Sequence, residues 1–168
     1  MGRISKNRVP YENFTNIKTK EMSYILGFLW ADGHIRVPYS VGSTINIKDS
    51  LDIKQIFSKT GDWYFYNCKR FDKRTKRNYI NFKILTSNKK IVNFLIENDY
   101  DKKSIVSPYK ILSKIPEKFK LYFFRGFSDG DVCFYKKMNQ YQYVITGTFN
   151  QDWNWIEDLL NRLKINYY

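Results

Sequence analysis

The stretches ILGFLWADG (residues 25–33) and FRGFSDGDV (residues 124–132) read almost alike, although they lie in different halves of the chain. Each predicts an apolar helix with a glycine in its middle and an aspartate at its end, followed by polar sequence that favours β-strands. A carboxylate at the end of a buried helix is costly unless something positive meets it. The two carboxylates, Asp32 and Asp131, therefore predict a divalent metal site shared between two half-domains.

Small residues recur on one face of both predicted helices. Gly27 and Ala31 are four positions apart, and Gly126 and Gly130 repeat that spacing. Each pair therefore lies on one side of its helix and permits close approach. Packing the two small faces together also brings the two helix ends together. Bare carboxylates there would repel each other and resist ionisation. We expect a hard cation between them, Mg²⁺ or Mn²⁺, which also suits phosphodiester hydrolysis.

The composition favours a polyanionic partner. The chain has 168 residues, of which 43% are hydrophobic and 18% aromatic, and its formal net charge is +13 with a pI near 9.6. A charge of this size predicts binding to nucleic acid, because lysine and arginine release counterions when they meet phosphates. A general lysine-rich bias of the source proteome is the alternative explanation.

Other classes of protein and site are disfavoured. The two cysteines, Cys68 and Cys133, lack CxxC spacing, and His34 is the single histidine. This set argues against a structural zinc site and for a reducing compartment. No apolar run approaches the length of a membrane span, and the basic N-terminus lacks the apolar core of a secretion signal. We expect an intracellular protein that is not secreted and has no membrane contact.

Periodicity predicts a repeated order of elements. Helix, hairpin, helix, hairpin and helix are followed by a connector, after which helix, hairpin and helix recur. The first set covers residues 23–32, 34–48, 50–59, 62–86 and 87–98, and the second covers 121–131, 133–149 and 152–163. The chain is thus predicted to hold one and a half copies of an internal repeat. The second copy lacks about one hairpin and one helix.

The repeat predicts the domain organisation. Residues 1–21 form a basic N-terminal arm, 22–103 the first repeat, 104–118 a linker and 119–168 the incomplete second repeat. Three explanations for the short second repeat stay open at this point. They are a truncated or degenerate reading frame, an expressed fragment, and a chain that a second chain completes.

The two aspartate-ending segments resemble the paired motifs of LAGLIDADG homing endonucleases, and the resemblance covers nearly all of residues 22–168. The resemblance implies an α+β fold of tandem αββαββα half-domains, here with the second half incomplete, whose sheets form a saddle over the DNA major groove. The matching positions are Gly27, Ala31, Asp32 and Gly33 in the first motif and Gly126, Asp129 and Asp131 in the second.

The resemblance implies an intron-encoded, mobile-element enzyme that cleaves double-stranded DNA at a long specific site. Asp32 and Asp131, with Gly33 beside the first of them, are the implied ligands of Mg²⁺ or Mn²⁺. The family usually adds a basic or amide residue near each carboxylate and a lysine late in the second hairpin. The implied further catalytic residues are Lys48, Gln151 and Lys83. An organelle is the implied location if the protein is encoded by an organellar intron, and the cytoplasm otherwise.

The predicted strands carry candidate DNA-binding residues, since alternate side chains of a two-stranded ribbon point to the bases in the major groove. The basic tip of the second hairpin is expected to meet phosphates instead. The strand candidates are Arg36, Asn46, Lys69, Arg70, Lys136, Lys137 and Gln142, and the tip candidates are Lys73, Arg74, Lys76 and Arg77.

Two positions depart from the family pattern. Trp30 replaces an acidic residue in the first motif, and Val132 replaces the glycine that follows the second carboxylate. We expect the family glycine to need a positive φ, which a valine can hardly adopt. Two alternatives to full double-strand cleavage therefore stay open. One is a cleavage-impaired DNA-binding or nicking protein, and the other is an RNA-binding, maturase-like module of the same fold.

Overall fold

The computed structural model describes residues 12–137, 140–147 and 150–166. None of the helices in these ranges is long and apolar enough to cross a membrane. The described elements are the α-helices α1 Glu12–Thr15, α2 Lys20–Asp32, α3 Ser50–Ser58, α4 Lys89–Glu97, α5 Tyr109–Lys114, α6 Glu117–Asp131 and α7 Asn154–Arg162, and the strands β1 Gly33–Arg36, β2 Ser40–Asn46, β3 Tyr64–Asp72, β4 Arg77–Thr86, β5 Val132–Lys137 and β6 Gln140–Ile145.

This order confirms the predicted α+β fold with one full and one partial repeat. The series α2-β1-β2-α3-β3-β4-α4 has the predicted αββαββα order, and α6-β5-β6-α7 repeats its first part. The first repeat carries a sheet in the order β1-β2-β4-β3, and the second carries the pair β5-β6. All neighbouring strands are antiparallel.

Helices α2 and α6 pack backbone against backbone, as the small residues predicted. A Cβ atom on Gly27 would lie 1.8 Å from the Phe123 carbonyl oxygen, and one on Gly126 would lie 1.9 Å from the Tyr24 carbonyl oxygen. Hydrogen is therefore the only side chain that fits at either position. Near the helix ends, a Cβ on Gly130 would be 2.7 Å from the Cβ of Ala31. The close approach continues to the two terminal carboxylates.

The four-stranded sheet covers one side of the first repeat. Its helix-facing side presents Val41, Ile45, Phe82 and Ile84, all buried, and the strand alternation leaves polar residues on the opposite side. We call that opposite side the open face. Helix α4 contributes a buried stripe that includes Leu95. Because α6, α3 and the sheet pack against α2, every residue of α2 from Met22 to Trp30 is buried.

The predicted boundaries of the arm and the linker need correction. Within the arm, α1 belongs to the core, since Phe14 is 0% exposed and Ile17 is 5% exposed; residues 1–11 lie outside the described residues. The linker holds α5, whose Ile111 is buried, and α6 already begins at Glu117. The apolar residues of both segments explain the difference, because burying them favours packing against the core.

The expectation that Val132 would distort the backbone is wrong. Gly33 has φ −80° and ψ 159°, and Val132 has φ −101° and ψ 135°, so both enter their strands in extended geometry. Position 33 requires glycine because there is no room for a side chain, not because of its backbone angles. A Cβ there would lie 2.1 Å from the Tyr100 hydroxyl and 2.4 Å from the Leu29 carbonyl oxygen. The valine therefore leaves the end of α6 in regular geometry.

Candidate active site

The first carboxylate of the site ends α2 and is fixed by a strand residue. The Ser43 hydroxyl donates to Asp32 Oδ2 at 2.7 Å. Ser43 stands opposite Gly33 in the β1–β2 register and is fully buried. Partial burial raises the pKa of Asp32, while the Ser43 hydrogen bond and the charges of Lys103 and His34 oppose that rise. The carboxylate is thus held in one orientation at a position where a cation would favour its ionised form.

The second carboxylate ends α6 and interacts with the first. Partial burial raises the pKa of Asp131, the charge of Lys103 lowers it, and the negative charge of Asp32 raises it further. The residue at the place equivalent to Ser43 is Ile145, which stands opposite Val132. Ile145 carries no hydroxyl, so Asp131 lacks the hydrogen bond that orients Asp32. The two helix ends are chemically unequal.

Lys103 lies near enough to both carboxylates to interact with each electrostatically. Its ammonium donates to the carbonyl oxygens of Trp30 and Ala31, each at 2.7 Å. Burial lowers its pKa to about 8, although Asp32 and Asp131 both act to raise it. Sequence reasoning missed this residue and placed the site lysines at Lys48 and Lys83. Lys103 follows a 3₁₀ turn, Tyr100–Lys102, in a connector without strand or helix periodicity, so no local pattern marked it.

Tyr100 anchors the turn that carries Lys103. Its hydroxyl donates to the Leu29 carbonyl oxygen at 2.7 Å, and its ring meets that of Trp30 edge to face with centroids 5.9 Å apart. Tyr100 is 1% exposed. The tyrosine also occupies the space that Gly33 leaves free. This packing fixes the lysine to the end of α2.

The predicted residue Lys83 lies on the open face beside His34. In the sheet register it stands between Thr44 and Tyr66. Burial lowers the pKa of His34, the charge of Lys83 lowers it further, and Asp32 acts to raise it. His34, which sequence reasoning used only to argue against zinc, follows Asp32 by two residues and adds a titratable ring to the rim of the site.

A cleft of about 760 Å³ opens next to Asp32. Asn46 and Lys48 line it together with Asp32, so the predicted residue Lys48 shares this cleft with the first carboxylate. The Asn46 side-chain oxygen accepts from the backbone N–H of Lys48 at 3.0 Å. Gln151 does not line this cleft; it packs beside Gly147, where an added Cβ would lie 2.4 Å from its Oε1.

Asp129, the other aspartate of the second motif, is held away from the paired carboxylates. Its Oδ2 accepts from the Tyr24 hydroxyl at 2.8 Å and lies 4.0 Å from Arg125 Nε. Burial and this hydrogen bond raise the pKa of Tyr24. The tyrosine therefore stays protonated and serves as a donor. Asp129 acts as a link between α2 and α6 at the wall of the cleft.

Four of the predicted DNA-binding residues share the open face of the first sheet. The alternation of side chains along the paired strands places Arg36, Asn46, Arg70 and Arg77 there, together with Lys83. Lys69 stands opposite Ile80 and points to the other side.

Three further candidates, Lys73, Arg74 and Lys76, form the turn between β3 and β4. Asp72 closes that turn by accepting from the Arg74 N–H at 2.8 Å.

The candidates of the second sheet divide between its faces. Tyr143 faces α6, since its hydroxyl bonds to Ser128 and its ring contacts Phe124. Lys136 is on the same face and lies over the Tyr141 ring at 5.6 Å. Gln142 stands opposite Tyr135 on the other face. Lys137 is the last residue of β5, and its side chain lies outside the described residues.

The paired carboxylates fit a hard divalent cation as a partial ligand set. Among the described residues no three or more His, Cys, Asp or Glu side chains surround a common point. Mg²⁺ is commonly bound by one or two carboxylates, with water and substrate phosphates completing its shell. The hard carboxylate oxygens and the raised pKa values of Asp32 and Asp131 suit such a shared ion. Gly33 begins β1 and is buried next to Asp32.

Comparison with solved structures finds a likeness to a known protein. The chain is similar to the solved structure of the homing endonuclease I-WcaI bound to its DNA recognition sequence, with a TM-score of 0.41, 14% identity, and coverage of 95% of this chain and 90% of that one. No protein-family model matches the chain. No curated protein matches it by sequence. At this level of likeness the functional argument rests on the residues of the site.

Proposed function

We propose that this protein is a divalent-metal-dependent endonuclease that hydrolyses phosphodiester bonds in double-stranded DNA at a specific site. The observation that carries the proposal is the pair Asp32 and Asp131 at the adjoining ends of two close-packed helices, with Lys103 near enough to interact electrostatically with both. Two carboxylates with a partly buried ammonium beside them suit the binding of a cation and a phosphate.

Each residue of the site has a distinct role in this proposal. Asp32 and Asp131 hold the cation, which when bound supplies Lewis-acid stabilisation of the phosphate and an acidified water. Ser43 orients the Asp32 carboxylate through its 2.7 Å hydrogen bond. Lys103, with its pKa lowered to about 8, presents a positive charge to the phosphate that is being cleaved and is acidic enough to exchange protons near neutral pH.

The open face supports DNA as the partner. Arg36, Arg70, Arg77 and Lys83 share one side of a twisted antiparallel sheet, and the basic turn lies at its end. Side chains on such a ribbon reach base edges in the major groove, whereas turn residues meet phosphates. With a formal net charge of +13, the chain complements the phosphate backbone.

The proposal is tested by selecting a target and then cleaving it. Duplexes that bind the protein without metal are selected from a randomised library, and the best is placed in a supercoiled plasmid. Addition of Mg²⁺ is expected to cut the plasmid at that site, and EDTA is expected to prevent the cut. Tight, specific binding with no metal-dependent cleavage would contradict the endonuclease and favour a DNA-binding module.

Nicking is a second candidate, and the inequality of the two helix ends favours it. Asp32 has the Ser43 hydrogen bond, and Asp131 faces Ile145 instead. We assign one DNA strand to each helix end, so the two strands are expected to be cut at different rates and nicked circles to accumulate before linear plasmid. The Ser43→Ala variant is expected to remove this difference by slowing the faster cut. Nicked circles that never exceed linear product in the unmodified protein would contradict the asymmetry.

Lys103→Met is expected to lower the cleavage rate by ~100-fold while leaving DNA affinity within a factor of about three, because one charge beside the reacting phosphate is lost. The matched control is Lys102→Met, which removes the neighbouring exposed lysine. Cleavage rates under single-turnover conditions and binding in EDTA separate the two effects. Equal rates for the two variants would show that Lys103 has a purely structural role.

The basic turn between β3 and β4 is expected to contribute phosphate contacts. Changing Lys73 and Lys76 to Gln together should reduce the slope of log K against log salt concentration by about 2, since each phosphate contact contributes about 0.9. The control pair is Lys18→Gln with Lys89→Gln, two exposed lysines away from the turn. An unchanged slope in the turn variant, or an equal fall in the control, would exclude the turn from the interface.

A further inference from the structure

The second sheet ends in an edge strand where the first sheet continues. In the first repeat, β2 pairs with β1 on one side and with β4 on the other. Its counterpart β6 pairs with β5, and in the described part of the chain no strand pairs with its other side. An unpaired edge presents a row of backbone N–H and C=O groups to any extended segment.

Apolar side chains beside this edge are uncovered, unlike their counterparts in the first repeat. Tyr143 and Val41 hold equivalent positions in the two sheets. Val41 lies two residues before Ser43, the partner of Gly33, and Tyr143 lies two residues before Ile145, the partner of Val132. Val41 is 0% exposed, whereas Tyr143 is 47% exposed and the neighbouring Phe134 is 64% exposed. In α2 the residue Ile25 is fully buried, while Phe124, at the same place in α6, is half-buried.

A groove of about 680 Å³ lies next to these residues. Tyr109 and Leu112 of α5, Phe124 of α6, and Trp155 and Leu159 of α7 line it. We call it the α5–α7 groove. No other part of the described chain fills this groove. The groove lies on one side of the uncovered face of α6, and the β6 edge lies on the other.

The equivalent space of the first repeat is filled. There Trp63, which directly precedes β3, contacts Phe14 of α1 and Phe57 of α3, with ring centroids 5.6 Å and 4.8 Å apart. Phe94 of α4 adds an edge contact to Phe14 at 6.0 Å. The space between α1 and α3 is thus occupied by Trp63 at the start of the β3–β4 hairpin and by Phe94 of α4.

We propose that the β6 edge and the α5–α7 groove together bind a β-hairpin followed by an amphipathic helix, supplied by a separate polypeptide. One strand of the hairpin would pair with β6 and so extend the β5–β6 sheet. The apolar face of the helix would pack into the groove. A second copy of this chain does not fit the role. Its own β3–β4 hairpin and α4 are buried in its core through Ile84 and Leu95, and two chains of charge +13 repel each other.

The experiment uses the hairpin–helix segment that fills the equivalent space of the first repeat, residues 62–98 of this chain. A fusion carries these residues a second time after Tyr168, behind a flexible Gly/Ser linker, and its control carries them in scrambled order. The true fusion is expected to raise Tm by at least about 4 °C over the control. It should also slow backbone amide exchange in residues 141–147. The free peptide, added in excess to the unfused chain, is expected to slow the same amides.

Groove variants separate docking from non-specific stabilisation. Leu112→Asp is expected to abolish the gain in Tm, whereas Leu121→Asp, on the exposed side of α6, is expected to keep it. The unfused Leu112→Asp protein, measured alongside, shows whether that variant folds. Equal exchange in the true and scrambled fusions would overturn the proposal, as would protection in the fusion without protection by the free peptide. A concentration-dependent dimer that protects β6 would also overturn it by assigning the surface to a second copy. No readout involves DNA or metal, so the outcome is independent of the nuclease proposal.

Discussion

Asp32→Asn and Asp131→Asn are each expected to reduce metal-dependent cleavage of the selected site by ~100-fold or more. Each change removes one negative ligand from a cation that both carboxylates share, and the loss falls on the transition state because the cation stabilises the developing charge. DNA affinity in EDTA should stay equal or increase, since a carboxylate that repels phosphate has been neutralised. Single-turnover rates and equilibrium binding on the same duplex measure both quantities.

The matched control for these variants is Asp52→Asn, which removes a carboxylate that lines the cleft beside Asp32 but does not end either central helix. It is expected to cleave within a factor of about three of the unmodified protein. Full activity in Asp32→Asn or Asp131→Asn would remove that residue from the metal site. A parallel loss in Asp52→Asn would mean that the overall charge of the cleft, and not the paired helix ends, governs cleavage.

Gly27→Ala is expected to cost about 3 kcal/mol or more of unfolding free energy. The added Cβ would lie 1.8 Å from the Phe123 carbonyl oxygen, a backbone atom that cannot move without separating α2 from α6. Helix propensity alone predicts the opposite result, a gain of about 1 kcal/mol for alanine. The sign of the change therefore reports the helix packing directly.

Gly61→Ala is the control for this variant. A Cβ at Gly61 would meet Ile91 Cδ1 at 3.1 Å, the far end of a flexible side chain. Its effect is expected to stay within about 1 kcal/mol. Urea denaturation of both variants measures the difference. Equal stability of Gly27→Ala and the unmodified protein would mean that the two central helices are farther apart than the structure has them.

Much of the fold was predictable because the same sequence pattern occurs in both halves of the chain. The glycine spacing in α2 and α6 and the turn chemistry between strands gave the helix pair and the hairpins. The errors fell where a tertiary contact overrides a local pattern. Residues 104–118 were predicted as a linker, but Ile111 and Ile115 within them are buried in the core. In the same way α1, predicted as part of the N-terminal arm, packs into the core through Phe14.

The site was predicted at the helix ends and missed beyond them. Asp32 and Asp131 end apolar helices and are visible in sequence, but Ser43 becomes a site residue only through the β1–β2 register. Lys103 and Tyr100 bond to carbonyl oxygens of α2 that lie 72 and 71 residues earlier in the chain, at Ala31 and Leu29. Gly33 was judged by its backbone angles, although the Tyr100 hydroxyl beside it is what demands a glycine. Long-range contacts of this kind leave no periodic trace.

The most direct test of the shared metal site is a crystal structure of the protein on its selected DNA site with Mn²⁺, using anomalous scattering to locate the ion. The expected result is an anomalous peak within about 2.5 Å of a carboxylate oxygen of Asp32 and of a carboxylate oxygen of Asp131, next to a phosphate of the DNA. A complex in which Mn²⁺ binds elsewhere, or in which the Lys103 ammonium bridges the two carboxylates and no ion is found there, would contradict the account.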